Sequence, residues 1–186
     1  MSSFELRRFS RIALAATALT GSAFALQACQ VQPLYYQNTS TLAPETSTRA
    51  LLSSIAIKPV GDRVALELRN ELIFMFSGGA GEPSNPAYTM DLKVKTQASR
   101  ALRDGLLNGI VSRRILATAV YTITLTSTGE EIYKGTRKVT TFYDQNTQEF
   151  ANNRAKRDAE DRAAQELAEI IRADTASVMN RRQARS

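Results

Sequence analysis

The sequence predicts an α+β fold in which two helices pack on one face of a small mixed four-stranded sheet, in the order β-α-β-β-β-α. Three observations lead to this prediction. Apolar residues recur about every four positions in two segments, as in amphipathic helices. Between those segments, apolar and polar residues alternate over three stretches, as in half-buried strands. A short apolar run before the first helix supplies the remaining strand. Two helices on one face of a sheet is a common way to enclose a single core.

The first strand and the first helix are predicted within residues 52–77. The run from Leu52 to Pro59 indicates a short strand that ends at the proline. Asp62 is a suitable N-cap, because its carboxylate accepts hydrogen bonds from free amides of the first helical turn. The helix spans residues 63–77, and Gly78 is well suited to end it. Its apolar stripe consists of Val64, Leu68, Leu72 and Phe76, widened by Ala65, Ile73 and Met75.

Three further strands are predicted in the middle of the chain. Residues 88–95 alternate cleanly, residues 114–126 place an apolar face opposite a threonine-rich face, and residues 131–143 are rich in β-formers. Together they form an antiparallel meander or hairpin. The stretch 99–113 is either a long hairpin connection or a continuation of the strand to an exposed edge.

A long helix is predicted from Gln148 onward. Its stripe advances in four-residue steps and is dominated by alanine, which would let the helix lie close to a sheet. We expect roughly 25–30 helical residues and a frayed tail after Val178. The stripe contains Ala151, Ala155, Ala159, Ala163, Leu167 and Ile171.

The amino terminus has the features of a secretory signal peptide. Arg7, Arg8 and Arg11 precede an uncharged apolar stretch that is shorter than a membrane span. The sole cysteine, Cys29, follows it in a string that resembles a bacterial lipobox, so we expect residues 1–28 to be removed and Cys29 to be lipidated. Residues 29–50 then form a lipidated N-terminus and linker, residues 51–182 a single α+β domain, and residues 183–186 a flexible tail. The remaining chain carries 21 basic and 17 acidic residues.

Composition excludes several classes of enzyme. The 186 residues contain no histidine, so catalytic relays and metal sites that need one are absent. One cysteine permits neither an intrachain disulfide nor a paired-cysteine redox or zinc site. We therefore expect no catalytic residues, no metal and no cofactor.

The chain resembles the LptE family of lipopolysaccharide-assembly lipoproteins. The resemblance rests on the string from Ala28 to Tyr35, in which Pro33, Leu34 and Tyr35 follow the lipidated cysteine. It rests also on the strand pair running from Ala119 to Lys138, and on the closing helix with its segment 162–171.

This resemblance implies an outer-membrane lipoprotein, anchored by lipid at the periplasmic face. Such a protein plugs the lipopolysaccharide-export β-barrel LptD, assists its assembly, and contacts lipopolysaccharide during insertion into the outer leaflet. Leu34, Tyr35 and Tyr36 are then candidate barrel contacts, or they close the domain's own core. Phosphates and acidic sugars of lipopolysaccharide suit arginine and lysine. The candidate lipopolysaccharide-binding residues are Arg100, Arg103, Arg113, Arg114, Lys134, Arg137 and Lys138. The alternative for these charges is ordinary solvation of exposed strands.

Two other functions remain open at this point. An auxiliary lipoprotein of a phospholipid-transport ABC system has a similar size and anchor. An anchored hydrolase would need a catalytic constellation that these residues do not assemble. Nucleic acid is not an expected partner, because the signal peptide directs the chain out of the cytoplasm and no base-reading motif is present.

Overall fold

The computed structural model describes residues 48–101 and 111–185, which belong to one compact unit, Gln37–Ser186. The predictions for the signal peptide, Cys29, the Leu34–Tyr36 segment and Arg103 lie outside the described residues. The elements, in chain order, are α1 (Thr48–Ser53), β1 (Ile55–Ile57), α2 (Arg63–Ser77), β2 (Tyr88–Arg100), β3 (Val111–Leu125), β4 (Glu131–Gln145) and α3 (Glu149–Gln183). The predicted α+β class, with helices and a mixed four-stranded sheet, is confirmed.

The short helix α1 was not predicted. The sequence analysis placed Leu52 in the first strand, but this residue is buried within α1, and the strand itself is only Ile55–Ile57. A six-residue helix is too short to show a helical period, and an isolated helix of this length is unstable. Tertiary contacts supply the stability here, because Thr48 donates a hydrogen bond to Asn180 of α3 at 2.7 Å.

Helix α2 has the ends that the sequence predicts. The Asp62 carboxylate accepts hydrogen bonds from the amides of Val64 and Ala65, at 2.9 and 3.3 Å. Gly78 ends the helix in the left-handed region, with φ of 64°. The predicted stripe is confirmed, since its four members and Ala65 are buried. Arg63 forms ion pairs with Glu160 and Asp161, which connect the start of α2 to α3.

The sheet has the strand order β1-β2-β3-β4. Strand β1 is parallel to β2, whereas β2, β3 and β4 are antiparallel neighbours. The described ends of the stretch 99–113, residues 99–100 and 111–113, are strand, because pairing between β2 and β3 extends to Arg100 opposite Arg113. Of the two alternatives for this stretch, the continuing strand is therefore confirmed for its described residues.

All three helices pack on one side of the sheet, which we call the inner face. Its central residues on β3 are Ile115, Ala117, Ala119, Tyr121 and Ile123, all buried. The intervening residues point to the opposite side, the outer face, since side chains alternate along a strand. No described residue of the outer face is buried.

Helix α3 runs over β3 and β4 for 35 residues. Ala159, Ala163, Leu167 and Ile171 of the predicted stripe are fully buried. The start of the predicted stripe is wrong, because Ala151 is exposed. The predicted fraying after Val178 is wrong, because the helix continues to Gln183. Met179 is buried and Asn180 holds α1, so tertiary contacts extend the helix past the point where its apolar stripe weakens.

Candidate functional site

The outer face of β2, β3 and β4 carries a group of lysines arranged by strand register. Lys95 lies opposite Thr118, and Thr118 lies opposite Lys138, so the three residues form one row across the sheet. Two strand spacings of about 4.8 Å place the two lysine backbones roughly 10 Å apart. Lys93 lies two residues from Lys95 on the same side, in a row with Val120. We call this surface the lysine face. It comprises Lys93, Lys95, Arg114, Leu116, Thr118, Val120, Thr122, Lys134, Lys138 and Phe142.

Acidic residues lie only toward the two ends of the lysine face. At one end Asp91 pairs with Lys58 at 3.5 Å, and Glu131 lies opposite Thr124. At the other end Asp144 accepts a hydrogen bond from Ser112 at 2.8 Å. The three central rows, through Val120, Thr118 and Leu116, contain no acid, and the first two contain lysines. The centre of the face is therefore cationic, with threonine hydroxyls and aliphatic groups between the charges.

The structure divides the predicted basic residues between the two sides of the sheet. Arg114, Lys134 and Lys138 lie on the lysine face and are exposed. A second group, Arg100, Arg113 and Arg137, lies on the inner face. Lys93 and Lys95 were not among the predicted site residues. The alternation of side chains along a strand could have separated the two groups, because residues 134 and 138 share one side of the strand and residue 137 lies on the other.

Arg113 and Arg100 are neighbours at the far end of the β2–β3 pair. The Arg113 guanidinium donates to the side-chain oxygen of Gln145 at 2.6 Å, whereas Arg100 is exposed. Both side chains lie beyond the buried part of the inner face. They are thus separated from the lysines by the sheet itself.

Arg137 belongs to a polar cluster between the sheet and α3. The cluster is centred on one carboxylate oxygen of Asp174, which accepts hydrogen bonds from Arg137 at 2.6 Å, from Tyr133 at 2.9 Å and from Tyr121. The Asp174 side chain is only 16% exposed. Three donors from two strands thus meet one residue of the helix, which fixes the helix to the sheet at this point.

The electrostatics of this cluster favour one protonation state. Burial alone would raise the pKa of Asp174, but the two tyrosine hydroxyls and the Arg137 guanidinium outweigh it and lower that pKa below its ordinary value. Burial and the hydrogen bond to Asp174 raise the pKa of Tyr121 well above its ordinary value. Burial lowers the pKa of Arg137, but attraction to Asp174, Tyr121 and Tyr133 together with the hydrogen bond to Asp174 outweighs burial and leaves that pKa raised. The carboxylate stays ionised while Tyr121 keeps its proton.

Gly135 makes room for this arrangement. It lies directly opposite Tyr121, and a Cβ atom at this position would come within 2.5 Å of the tyrosine ring. The ring therefore lies across the backbone of β4 to reach Asp174. Tyr121 and Tyr133 also pack with their ring centroids 6.0 Å apart.

Two kinds of feature are absent from the described parts of the chain. Within residues 48–101 and 111–185, no cluster of three carboxylate, histidine or cysteine side chains could hold a metal ion. None of the three described helices combines the length and apolar content that crossing a membrane requires.

The family profile LptE, described as lipopolysaccharide-assembly, matches residues 52–175, which include most of both sheet faces and the Asp174 cluster. The chain belongs to the LptE family. As an LptE-family protein it is a non-enzymatic lipoprotein of lipopolysaccharide assembly in the outer membrane. This membership favours lipopolysaccharide assembly over the phospholipid-transport alternative and over the hydrolase. No curated protein matches the sequence.

Two solved structures of bacterial lipoproteins are similar to this chain. One is from Caulobacter crescentus CB15 and is described as a lipoprotein, with a TM-score of 0.58 and 24% identity over 73% of this chain and 96% of that chain. A minor lipoprotein from Acinetobacter baumannii has a TM-score of 0.42 and 18% identity, over 66% of this chain and 90% of that one. The first likeness supports the fold assignment.

Proposed function

We propose that this LptE-family lipoprotein is anchored at the periplasmic face of the outer membrane through lipidated Cys29. There it plugs the barrel LptD and assists the assembly of that barrel. It binds lipopolysaccharide on the lysine face. The observation that carries the ligand site is the row formed by Lys95, Thr118 and Lys138, in a part of the face without acids. Lysine ammonium groups attract phosphate from several directions, and each charge-assisted bond is stronger than a neutral one.

The composition of the lysine face suits an amphiphilic anion. Lys95 and Lys138 have side chains long enough to reach one phosphate or two neighbouring anionic groups from opposite sides of Thr118. Hydroxyls of the central strand can donate to phosphate or sugar oxygens. Leu116 and Val120 offer aliphatic contact to the apolar part of the same lipid. Ordinary solvation of a strand does not require such a central concentration of cations.

Not all the predicted basic residues enter this proposal. Arg114, Lys134 and Lys138 do, together with Lys93 and Lys95. Arg137 is omitted, because its guanidinium is engaged by Asp174 on the inner face. Arg100 and Arg113 lie on that side as well, and we assign them no contact with the ligand on the lysine face.

The ligand site is tested by charge reversal. We expect the double variant Lys95→Glu, Lys138→Glu to bind purified lipopolysaccharide at least about tenfold more weakly than the unaltered protein, because two attractive contacts become repulsive. Both side chains are exposed, so the urea unfolding midpoint should remain nearly unchanged. Binding is measured by displacement of a fluorescent lipopolysaccharide.

The matched control carries the same charge change elsewhere. Arg154→Glu with Arg157→Glu alters two exposed residues of α3, away from the sheet. Its affinity for lipopolysaccharide should stay close to that of the unaltered protein. Equal losses in both double variants would show a response to net charge alone and would remove the assignment to the lysine face.

The anchor and the barrel partner need a separate experiment in cells. We expect Cys29→Ser to abolish labelling by an alkyne fatty acid, because the thiol is the proposed attachment point. We expect mild detergent extraction of the lipidated protein to recover LptD. Replacing Leu34, Tyr35 and Tyr36 by alanine should reduce that recovery while labelling persists. Absence of LptD from the unaltered complex would contradict the proposed partner.

A further inference from the structure

The sheet has two long edges, and its strands differ in how their outward-facing backbone groups are satisfied. In β2, odd-numbered residues direct their backbone groups toward β3, as shown by the bond from the Ala101 amide to the Ser112 carbonyl at 3.0 Å. Even-numbered residues point the other way. The Tyr88 amide donates to the Ser54 carbonyl, and the Met90 carbonyl accepts from the Lys58 amide, at the two ends of β1.

Beyond Met90, no strand within residues 48–101 or 111–185 lies beside the β2 edge. β1 ends at Ile57, and Pro59, which has no amide hydrogen, follows shortly after. The outward-facing residues of β2 from this point are Leu92, Val94, Thr96, Ala98 and Arg100. Their outward amides and carbonyls have no hydrogen-bond partner within the described residues. We call this stretch, Leu92–Arg100, the open edge.

The edge of β1 is closed, in contrast. The Ile57 amide donates to a carboxylate oxygen of Glu82 at 3.0 Å, and its carbonyl accepts from the Arg69 guanidinium at 3.0 Å. Arg69 and Glu82 also pair with each other at 2.5 Å. This ion pair occupies the positions that a neighbouring strand would take, and so blocks further pairing.

The edge of β4 is partly closed. Its carbonyls at Phe142 and Thr136 accept hydrogen bonds from Arg162, at 3.1 Å, and from Arg137, at 2.9 Å. The open edge is therefore the one long stretch, among the described strands, without such side-chain bonds. Unpaired strand edges are templates for addition of a further strand.

We propose that the open edge of β2 receives an extended segment of another protein as an added strand, with acidic residues on one side of the segment and apolar residues on the other. Charge complementarity supports this occupant. The acidic side would lie on the sheet surface beside Lys93 and Lys95, which flank the edge. The apolar side would lie beside Val94 and Ala98. The proposal rests on the unpaired backbone of β2 and not on lipopolysaccharide binding, although Lys93 and Lys95 belong to both proposed sites.

A second copy of this chain fits the edge poorly. Pairing two β2 strands edge to edge would join two lysine faces into one continuous surface, and each face brings Lys93, Lys95, Lys134 and Lys138. Like charges gathered on one sheet surface repel each other. The length of the edge, at about 3.4 Å per residue, matches a partner strand of roughly seven to nine residues.

The test uses the full chain and a synthetic peptide of about seven residues in which glutamate and valine alternate. Amide hydrogen exchange is followed by NMR at about 1 mM peptide. We expect exchange at Val94, Thr96 and Ala98 to slow by about tenfold or more. A peptide with lysine in place of glutamate should leave these amides unprotected. No protection by the glutamate peptide, or protection of β4 amides instead, would overturn the proposal.

Backbone variants locate the effect. Thr96→Pro removes an outward-facing amide without removing a bond to β3, and should abolish protection by the peptide. Thr140→Pro makes the equivalent change on the β4 edge and should leave protection intact. Lipopolysaccharide binding by Thr96→Pro should persist, which distinguishes this inference from the proposed ligand site. Should Thr96→Pro fail to fold, Lys93→Glu with Lys95→Glu retains the backbone and should reverse the preference to the lysine peptide.

Self-association is the remaining outcome. If Val94, Thr96 and Ala98 become protected as protein concentration rises without peptide, then a second copy occupies the edge and the acidic-partner proposal is wrong. Lipopolysaccharide added alone should leave these three amides unprotected, because a lipid offers no strand to pair with them.

Discussion

The two sides of β4 use neighbouring cations in opposite ways. Arg137 points to the inner face, where Asp174 and two tyrosines surround it, and it contributes to the attachment of α3. Lys138, the next residue, points to the outer face, where it has no acidic partner in its row. The comparison shows that the role of a charged residue on a strand depends on which face of the sheet its side chain occupies. A partly buried, paired charge serves stability, and an exposed, unpaired one is available to a ligand.

The largest effect is expected from removing the acceptor at the centre of the cluster. Asp174→Ala should lower the free energy of unfolding by about 3 kcal/mol, because a partly buried guanidinium and two tyrosine hydroxyls lose their common partner. Urea unfolding followed by circular dichroism measures it. The control is Asp158→Ala, at a side chain 67% exposed that pairs with Arg162 on the helix surface, and its change should stay within about 0.5 kcal/mol. Similar losses in both variants would contradict a special role for Asp174.

A somewhat smaller loss is expected at Gly135. Gly135→Ala places a methyl group against the Tyr121 ring, so either the ring or the strand must shift, at a cost of about 1–3 kcal/mol. Gly61→Ala is the matched control, since a Cβ atom there meets nothing within 4 Å. It should be neutral or slightly stabilising. Unfolding midpoints of the two variants in urea decide the matter, and a neutral Gly135→Ala would show that the tyrosine is not confined.

The adjacent cations allow a direct test of the comparison. Arg137→Gln should destabilise the protein by about 1–2 kcal/mol and leave lipopolysaccharide binding nearly unchanged. Lys138→Gln should do the reverse, with a change in stability below about 0.5 kcal/mol and weaker binding. Each variant is measured by both urea unfolding and lipopolysaccharide displacement. Any result in which both variants affect the same property would break the division between the faces.

The smallest effect is a change in the shape of the pH–stability curve. The pKa of Asp174 is lowered in the folded state, so its contribution is complete above the ordinary carboxyl pKa of about 4 and is lost as the pH falls through the lowered value. The pKa of Tyr121 is raised, so its contribution is complete below about pH 10 and is lost as the pH rises further. Unfolding midpoints across pH should therefore decline at both limits. Asp174→Asn should flatten the acid limb.

Much of the fold could be predicted from the sequence because its elements are long and regular. The alternation in residues 114–126 identified β3 and its buried side, and the capping residues Asp62 and Gly78 located both ends of α2. Helix α1 could not be predicted, since six residues contain less than two helical turns. Its stability comes from contacts with α3, such as the bond from Thr48 to Asn180, which lie 132 residues apart in sequence.

The candidate site was only partly predictable. Lys134 and Lys138 were identified as cations on a strand, but Lys93 and Lys95 appeared only as the polar half of an alternating pattern. Their proximity to Lys138 depends on the register of β2 on β3 and of β3 on β4, which a single strand does not encode. Arg137 was grouped with the lysines because its acceptor, Asp174, belongs to a distant helix.

The close contact between Tyr121 and Gly135 has a consequence for the opposite side of the sheet. If β4 slid along β3 by one or two residues, a side chain would replace the glycine hydrogen beneath the tyrosine ring. In each such misalignment that side chain would clash with the Tyr121 ring. The contact between the ring and Gly135 therefore permits a single alignment of the two strands. That alignment also sets the separation of Lys138 from Lys95. The dimensions of the cationic surface are thus determined from within the core, by a tyrosine on the opposite side of the sheet from the proposed ligand site.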